Sequence, residues 1–152
     1  MTALDIYRDC SAIDERIERV REKIERRRAL ASGCTARPLS PDGGGHGGGD
    51  ASMRLLEQLA DIQTMEAELA ELEGQREQLR SCCLYLSDMM ARALASVALQ
   101  YYLEHKGYQA IAEDSHYGLT TVKRYKRYAD EALRSIEIIH WDGRHTPMVS
   151  IH

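Results

Sequence analysis

The side chains in this sequence that could do chemistry together lie in one short run. Lys123, Arg124, Lys126 and Arg127 follow Thr120 and Thr121 and precede Tyr128, and no acidic residue occurs from Leu119 to Tyr128. Guanidinium, ammonium and hydroxyl donors in such a cluster match phosphate oxygens and the guanine edges of duplex DNA. A bidentate arginine discriminates a base by about 1–3 kcal/mol. Arg124 and Lys123 are the candidates for base edges, while Lys126, Arg127, Thr120 and Thr121 are candidates for phosphates. The hydroxyls of Tyr128 and Tyr117 are within reach of phosphate as well. The plain alternative is a solvated basic face with no ligand.

Nothing else in the chain forms a reactive group. The histidines lack acid or nucleophile partners at readable spacing, and the carboxylates are distributed like solvated helix faces, so no enzyme is expected. Cys10, Cys34, Cys82 and Cys83 show no zinc or redox spacing and read as reduced thiols. The run GGGHGGG lacks the preceding strand and placed lysine of a nucleotide-binding loop, and His46 with Cys34 is too little for a metal. No cofactor is expected.

The basic cluster needs an element to hold it. Val122, Tyr125, Ala129 and Leu133 recur at three- and four-residue steps and share one helix face, which Lys123, Arg124, Lys126 and Arg127 avoid. Before it, Tyr108, Ala110, Ile111 and Ala112 predict a shorter helix, broken around His116, Tyr117 and Gly118. Two helices joined by a tight turn, the second basic and beginning near Leu119-Thr120, make the layout of a helix-turn-helix.

The order and spacing of Ile111-Ala112, Thr121-Val122, Ala129 and Leu133-Arg134 resemble the C-terminal promoter-reading domain of bacterial sigma-70-type factors. His116 stands where that turn usually has Gly, and Gly118 where it often has a capping Ser or Thr. A non-Gly residue in a left-handed turn costs roughly 1 kcal/mol, and Gly is an acceptable N-cap. More loosely, the whole chain resembles phage-encoded late-gene regulators of the ArpU/RinA kind. That resemblance implies binding to phage or host promoter DNA, RNA polymerase as a partner, and residence in the bacterial host cytoplasm. Within it, ALQYYLEHKGYQAIA corresponds to the helix before the helix-turn-helix, ended by Gly107.

The rest of the chain reads as support. Of 152 residues, 29% are charged and 6% aromatic, with no Phe, which suits long charge-faced helices better than a thick core. The net charge of -4 argues against a chain coated in nucleic acid and leaves the local basic face to dock in one orientation. From Leu4 to Ala31, the residues Ile6, Cys10, Ile13, Ile17, Val20 and Ile24 form a heptad seam. Arg26-Arg27-Arg28 reads as cations at a helix C-terminus, favoured there by the dipole. Ser32 to Asp50, with Pro38 and Pro41, reads as a linker. A second helix is expected from Ala51-Ser52, capped by Asp50. Its seam runs through Leu55, Leu59, Ile62, Met65, Leu69, Leu72 and Leu79 to Cys83, Leu86 and Met90, with Gly74 as a weak point.

Past Ser81 the pattern thickens, and Leu84, Met89, Ala93, Val97 and Leu99 predict a well-buried helix of the terminal domain. At the end, either Ile136, Ile138 and Ile139 continue the last helix, or Glu137–Trp141 and His145–Ile151 form a β-hairpin about Asp142-Gly143. Pro147 would confine the second strand to an edge. No apolar run approaches the ~20 residues needed to span a membrane, no signal-peptide core is visible, and the chain reads as cytoplasmic.

The expected fold class is therefore all-α. A long antiparallel coiled-coil helical hairpin (residues 1–31 and 51–80, joined by 32–50) leads to a sigma-like helix-turn-helix domain at 81–136. A tail or short β-hairpin covers 137–152. The expected function is a sequence-specific DNA-binding phage transcription regulator on double-stranded DNA, a homo-oligomer with a dimer favoured. Two other uses of the same parts stay open. One is a small-terminase-like packaging subunit assembling a ring, and the other a coiled-coil adaptor for a recombinase or RNA polymerase.

Overall fold

A computed structural model describes residues 1–36 and 48–152. Five helices and one antiparallel strand pair follow in order: α1 (Ala3–Ala36), α2 (Gly48–Ser87), α3 (Arg92–Tyr102), α4 (Tyr108–Ser115), α5 (Leu119–Arg134), β1 (Ile136–His140) and β2 (Met148–Ile151). The fold is mostly helical, as the periodicities predict, and the tail takes its β-hairpin alternative. The chain divides into two compact units, one of residues 1–14 with 74–152 and one of residues 15–73.

In the second unit α1 and α2 run antiparallel, because Arg21 pairs with Glu73 while the later Arg28 pairs with the earlier Glu66. The seams meet as their spacing requires: Ile17, Val20, Ile24, Ile62 and Leu72 are all buried. Leu59 departs from the expected seam and is 44% exposed. Both helices outrun their expected ends. α1 continues to Ala36, and α2 begins at Gly48, so Asp50 lies inside the helix and not at its N-cap. The remainder of the expected linker, with Pro38, Pro41 and His46, falls outside the described residues.

The first unit opens with a reciprocal cap. Thr2 N–H and hydroxyl donate to Asp5 Oδ2 at 2.8 and 3.0 Å, and Asp5 N–H returns a bond to the Thr2 hydroxyl at 3.4 Å. These bonds, that of the Thr2 backbone foremost, hold the Asp5 carboxyl below its ordinary range. The core gathers Leu4, Ile6, Tyr7 and Cys10 of α1, Cys83 and Leu86 of α2, Tyr102 of α3, Leu133 of α5 and Ile136 of β1. Tyr7 anchors it by donating its hydroxyl to the Cys83 carbonyl at 2.8 Å while its ring meets Tyr102 edge-on. Burial pushes the Tyr7 hydroxyl well above the ordinary phenol range.

Past Ser81 the single buried helix expected from the sequence is two. α2 ends at Ser87, whose hydroxyl donates to the Leu84 carbonyl, and tight turns through Asp88, Met89 and Met90 lead into α3. Leu84 is 54% exposed, since the seam through Leu79, Cys83 and Leu86 turns it outward, whereas Val97 is fully buried. α3 also stops at Tyr102, before the Gly107 expected to end it. The chain reverses at His105, whose φ of 55° is left-handed, and Gly107 serves as the extended N-cap of α4. The His105 ring is held at that bend by Asp14 Oδ2 at 2.7 Å, and Arg76 and Arg80 approach the same carboxylate at 3.8 Å.

In the tail, Ile136 pairs with Ile151 and Ile138 with Val149, and a register shift follows before His140 meets Met148. The second strand starts after Pro147, later than the expected His145. Asp142 Oδ1 accepts the backbone N–H groups of Arg144 and His145, and Gly143 takes φ 83°, where a side chain would be strained. On its other edge β1 meets the N-terminus through a Thr2–Glu137 bridge and the Ile138 N–H to Met1 carbonyl bond of 2.9 Å.

Cys10, Cys82 and Cys83 are buried and free, while the Cys34 side chain lies outside what is described. Burial first, and then the charge of Cys10, push the Cys82 thiol up to about 11, and its bond with Cys10 and burial raise Cys83 further. A raised thiol pKa favours the protonated, folded form. The Cys82 contribution is complete below the ordinary thiol value and is lost as pH climbs through about 11. Native protein at pH 8 should therefore leave Cys82 and Cys83 unreactive toward a disulfide reagent until denaturant is added. Rapid labelling of either of them in the native state, mapped by mass spectrometry, would contradict the packing.

Candidate nucleic-acid interface

The face predicted to be buried on α5 is buried. Val122, Ala129 and Leu133 have no exposure, and Tyr125 is half-buried. Val122 packs with Val97 of α3 and with Ile111 and Ala112 of α4, and Tyr101, Tyr108 and Tyr125 close the rim of that cluster. Small Ala112 at the contact lets α4 and α5 approach. Between them His116 adopts φ 60°, ψ 23°, the left-handed conformation a helix C-terminus favours, and Gly118 is the extended N-cap of α5. The first residue of α5 is Leu119, as expected. Tyr117 stands over Tyr125 edge-on at 5.4 Å and fixes the turn from outside.

This packing sorts the cationic run into two kinds. Lys123, Arg124 and Arg127 are exposed, together with Thr120, and Tyr128 is 41% exposed with the Arg127 guanidinium 5.3 Å from its ring. Lys123 extends over the Tyr108 ring at 5.9 Å. Thr121 is half-buried beside the turn. Lys126 behaves differently. Its ammonium bonds Asp130 Oδ2 at 2.6 Å and lies 4.6 Å from the Tyr101 ring and 5.3 Å from the Tyr102 ring, with its side chain only 17% exposed. Burial works against that charge, but the bonds to Asp130 and Tyr102 outweigh it and raise the ammonium above its ordinary value. Lys126, expected to hold phosphate, is thus drawn by Asp130, one turn on, to the packed side of the helix.

Asp130 is the residue the sequence reading passed over. It is buried, and its other oxygen accepts the Tyr102 hydroxyl at 2.8 Å, so one carboxylate ties α5 to α3. The signal was available in the i,i+4 pairing of Lys126 with Asp130, but such pairs on helices are usually solvated. Replacing Asp130 with Ala strands a half-buried ammonium and a buried hydroxyl, which should destabilise the fold by about 1–3 kcal/mol. Asp130→Asn should cost less, because it still bonds Tyr102. Equal melting temperatures for the two variants and the parent would refute this account.

Among the described residues no cluster of His, Cys, Asp and Glu is arranged to hold a metal ion, and no helix is long and apolar enough to cross a membrane. Comparison with protein-family models, with characterised proteins and with solved structures finds no match for this chain. What is to be explained is therefore the geometry of α4, its turn and α5, with Lys123, Arg124 and Arg127 exposed on a helix whose other side is sealed.

Proposed function

We propose that the chain is a sequence-specific DNA-binding transcription regulator that lays the N-terminal half of α5 in the major groove of duplex DNA. The single observation carrying this reading is the exposed column of Lys123, Arg124 and Arg127 on a helix whose opposite face is locked by Val122, Ala129 and Leu133. A rigid cationic helix behind a short turn is what groove reading requires. Arg124 and Lys123 read base edges, while Arg127, Thr120, Thr121 and Tyr128 hold phosphates, and Lys126 serves the fold. RNA polymerase is the partner implied by the sigma-like spacing of Ile111-Ala112 and Thr121-Val122, in a bacterial host cytoplasm. No catalytic role belongs to this reading.

The test is selection of bound duplexes from a random pool at two salt concentrations. A regulator enriches one defined motif at both. Binding without sequence preference that vanishes by ~200 mM salt would sink the proposal, since that is the behaviour of phosphate contacts alone.

A further inference from the structure

The unit of residues 15–73 carries a charge pattern that the DNA reading leaves unused. Residues 15–36 hold seven basic and four acidic side chains, and residues 48–73 hold seven acidic and one basic, Arg54. On one side of the antiparallel pair these charges meet across the seam, Arg21 with Glu73 at 3.0 Å and Arg28 with Glu66. The repeat of seven residues on each helix makes this a ladder. The Arg21 guanidinium is held above its ordinary value by Glu73 and then Glu18.

The opposite side is organised differently. There a shallow groove of about 160 Å³ is floored by buried Val20 and Leu72 and walled by Arg16, Arg19 and Lys23 of α1 and Glu68 of α2. Arg27, one turn beyond Lys23, pairs with Asp61 at 3.5 Å and sets the edge of the same side. Of the acidic residues on this part of α1, Glu18 and Glu22 pair with Arg21 and Arg26 away from the groove, and Glu15 pairs with Arg19 at its edge. On α2, Glu57, Asp61, Glu68 and Glu71 recur at four, seven and three residues and share that side. The result is a basic column on α1 lying beside an acidic column on α2. Among the described residues Arg16, Lys23, Glu57, Glu68 and Glu71 have no ion-pair partner.

A face divided lengthwise into one positive and one negative column is complementary to itself under one two-fold axis only. With the axis parallel to the helices, α1 of each copy lies over α2 of the other, and heights along the pair are kept. Lys23 of one copy then stands over Glu68 of the other, and Arg19 over Glu71. With the axis across the helices, α1 lies on α1 and positive meets positive. We infer that this face binds a second copy of the chain in the first arrangement, closing an antiparallel four-helix bundle over Val20 and Leu72. The inference stands apart from the DNA reading, because it concerns other residues and is tested without DNA.

The experiment measures the mass of the full chain in solution. Wild type should be a dimer that weakens as salt rises. Arg16→Glu/Lys23→Glu reverses two of the four charges of the basic column, and Glu68→Lys/Glu71→Lys reverses two of the four of the acidic column. Each variant alone should dimerise at least about ten-fold more weakly, with its helical circular dichroism retained. An equimolar mixture should restore a dimer containing one of each. A monomeric wild type, a ring or other larger assembly, unaltered self-association of both variants, or a mixture that fails to pair although both are folded would overturn the inference. A dimer that passes these tests and binds no DNA would leave it standing and remove the DNA reading alone.

Discussion

Lys123→Ala/Arg124→Ala should lose specific DNA binding by roughly 10²–10³-fold at fixed salt. The size follows from one bidentate base contact at about 1–3 kcal/mol together with a second cation at the groove. Both side chains are exposed, and exposed substitutions usually move stability by less than about 0.5 kcal/mol. The one contact forfeited within the fold is the approach of Lys123 to the Tyr108 ring, so the melting temperature should fall by no more than about 3 °C. Arg127→Ala makes a contrast. It should weaken all sequences alike and reduce the slope of log affinity against log salt by about 1. Filter binding or anisotropy across a salt series reads both. Undiminished specific binding by the double variant would remove α5 from the interface.

How far the sequence foretold this site can be judged from α5 itself. Val122, Ala129 and Leu133 are legible because helical period alone decides which side chains share a face, and apolar ones seek the core. Lys126 was not legible. Period places it off that face, yet Asp130 and the rings of Tyr101 and Tyr102 pull it inward, and those rings come from α3, about 25 residues earlier. Likewise His105, where the chain reverses after α3, is held by Asp14, a contact between residues 91 positions apart. Local spacing describes an element's own faces but says nothing of which distant carboxylate will meet it. For the same reason the spacing of α1 shows one uniform coiled-coil seam, while its first turns pack in a different core from its later ones.

That division leads to the second large effect. Residues 74–152 expressed without residues 1–14 should not fold cooperatively, although they contain all of α3, α4 and α5. Leu4, Ile6, Tyr7 and Cys10 are at most 1% exposed, and each packs in the cluster that holds Leu86, Leu133 and Ile136. Burying a side chain of that size contributes about 1.5–3 kcal/mol, so removing the group takes an amount comparable with the whole 5–15 kcal/mol of a typical domain. The Cys83 carbonyl loses the Tyr7 hydroxyl and His105 loses Asp14 at the same time. Leu133→Ala, which opens the cluster from the other side, should cost about 2–5 kcal/mol in the intact chain. Asp14 and Arg76 lie within an ion-pair distance of 3.8 Å, so a short flexible link can join residue 14 to residue 74. The linked chain 1–14 and 74–152 should regain a sharp thermal transition that the 74–152 fragment lacks, followed by circular dichroism. If the fragment alone melts as sharply and as high as the linked chain, the first turns of α1 are an ornament on the domain and not part of its core.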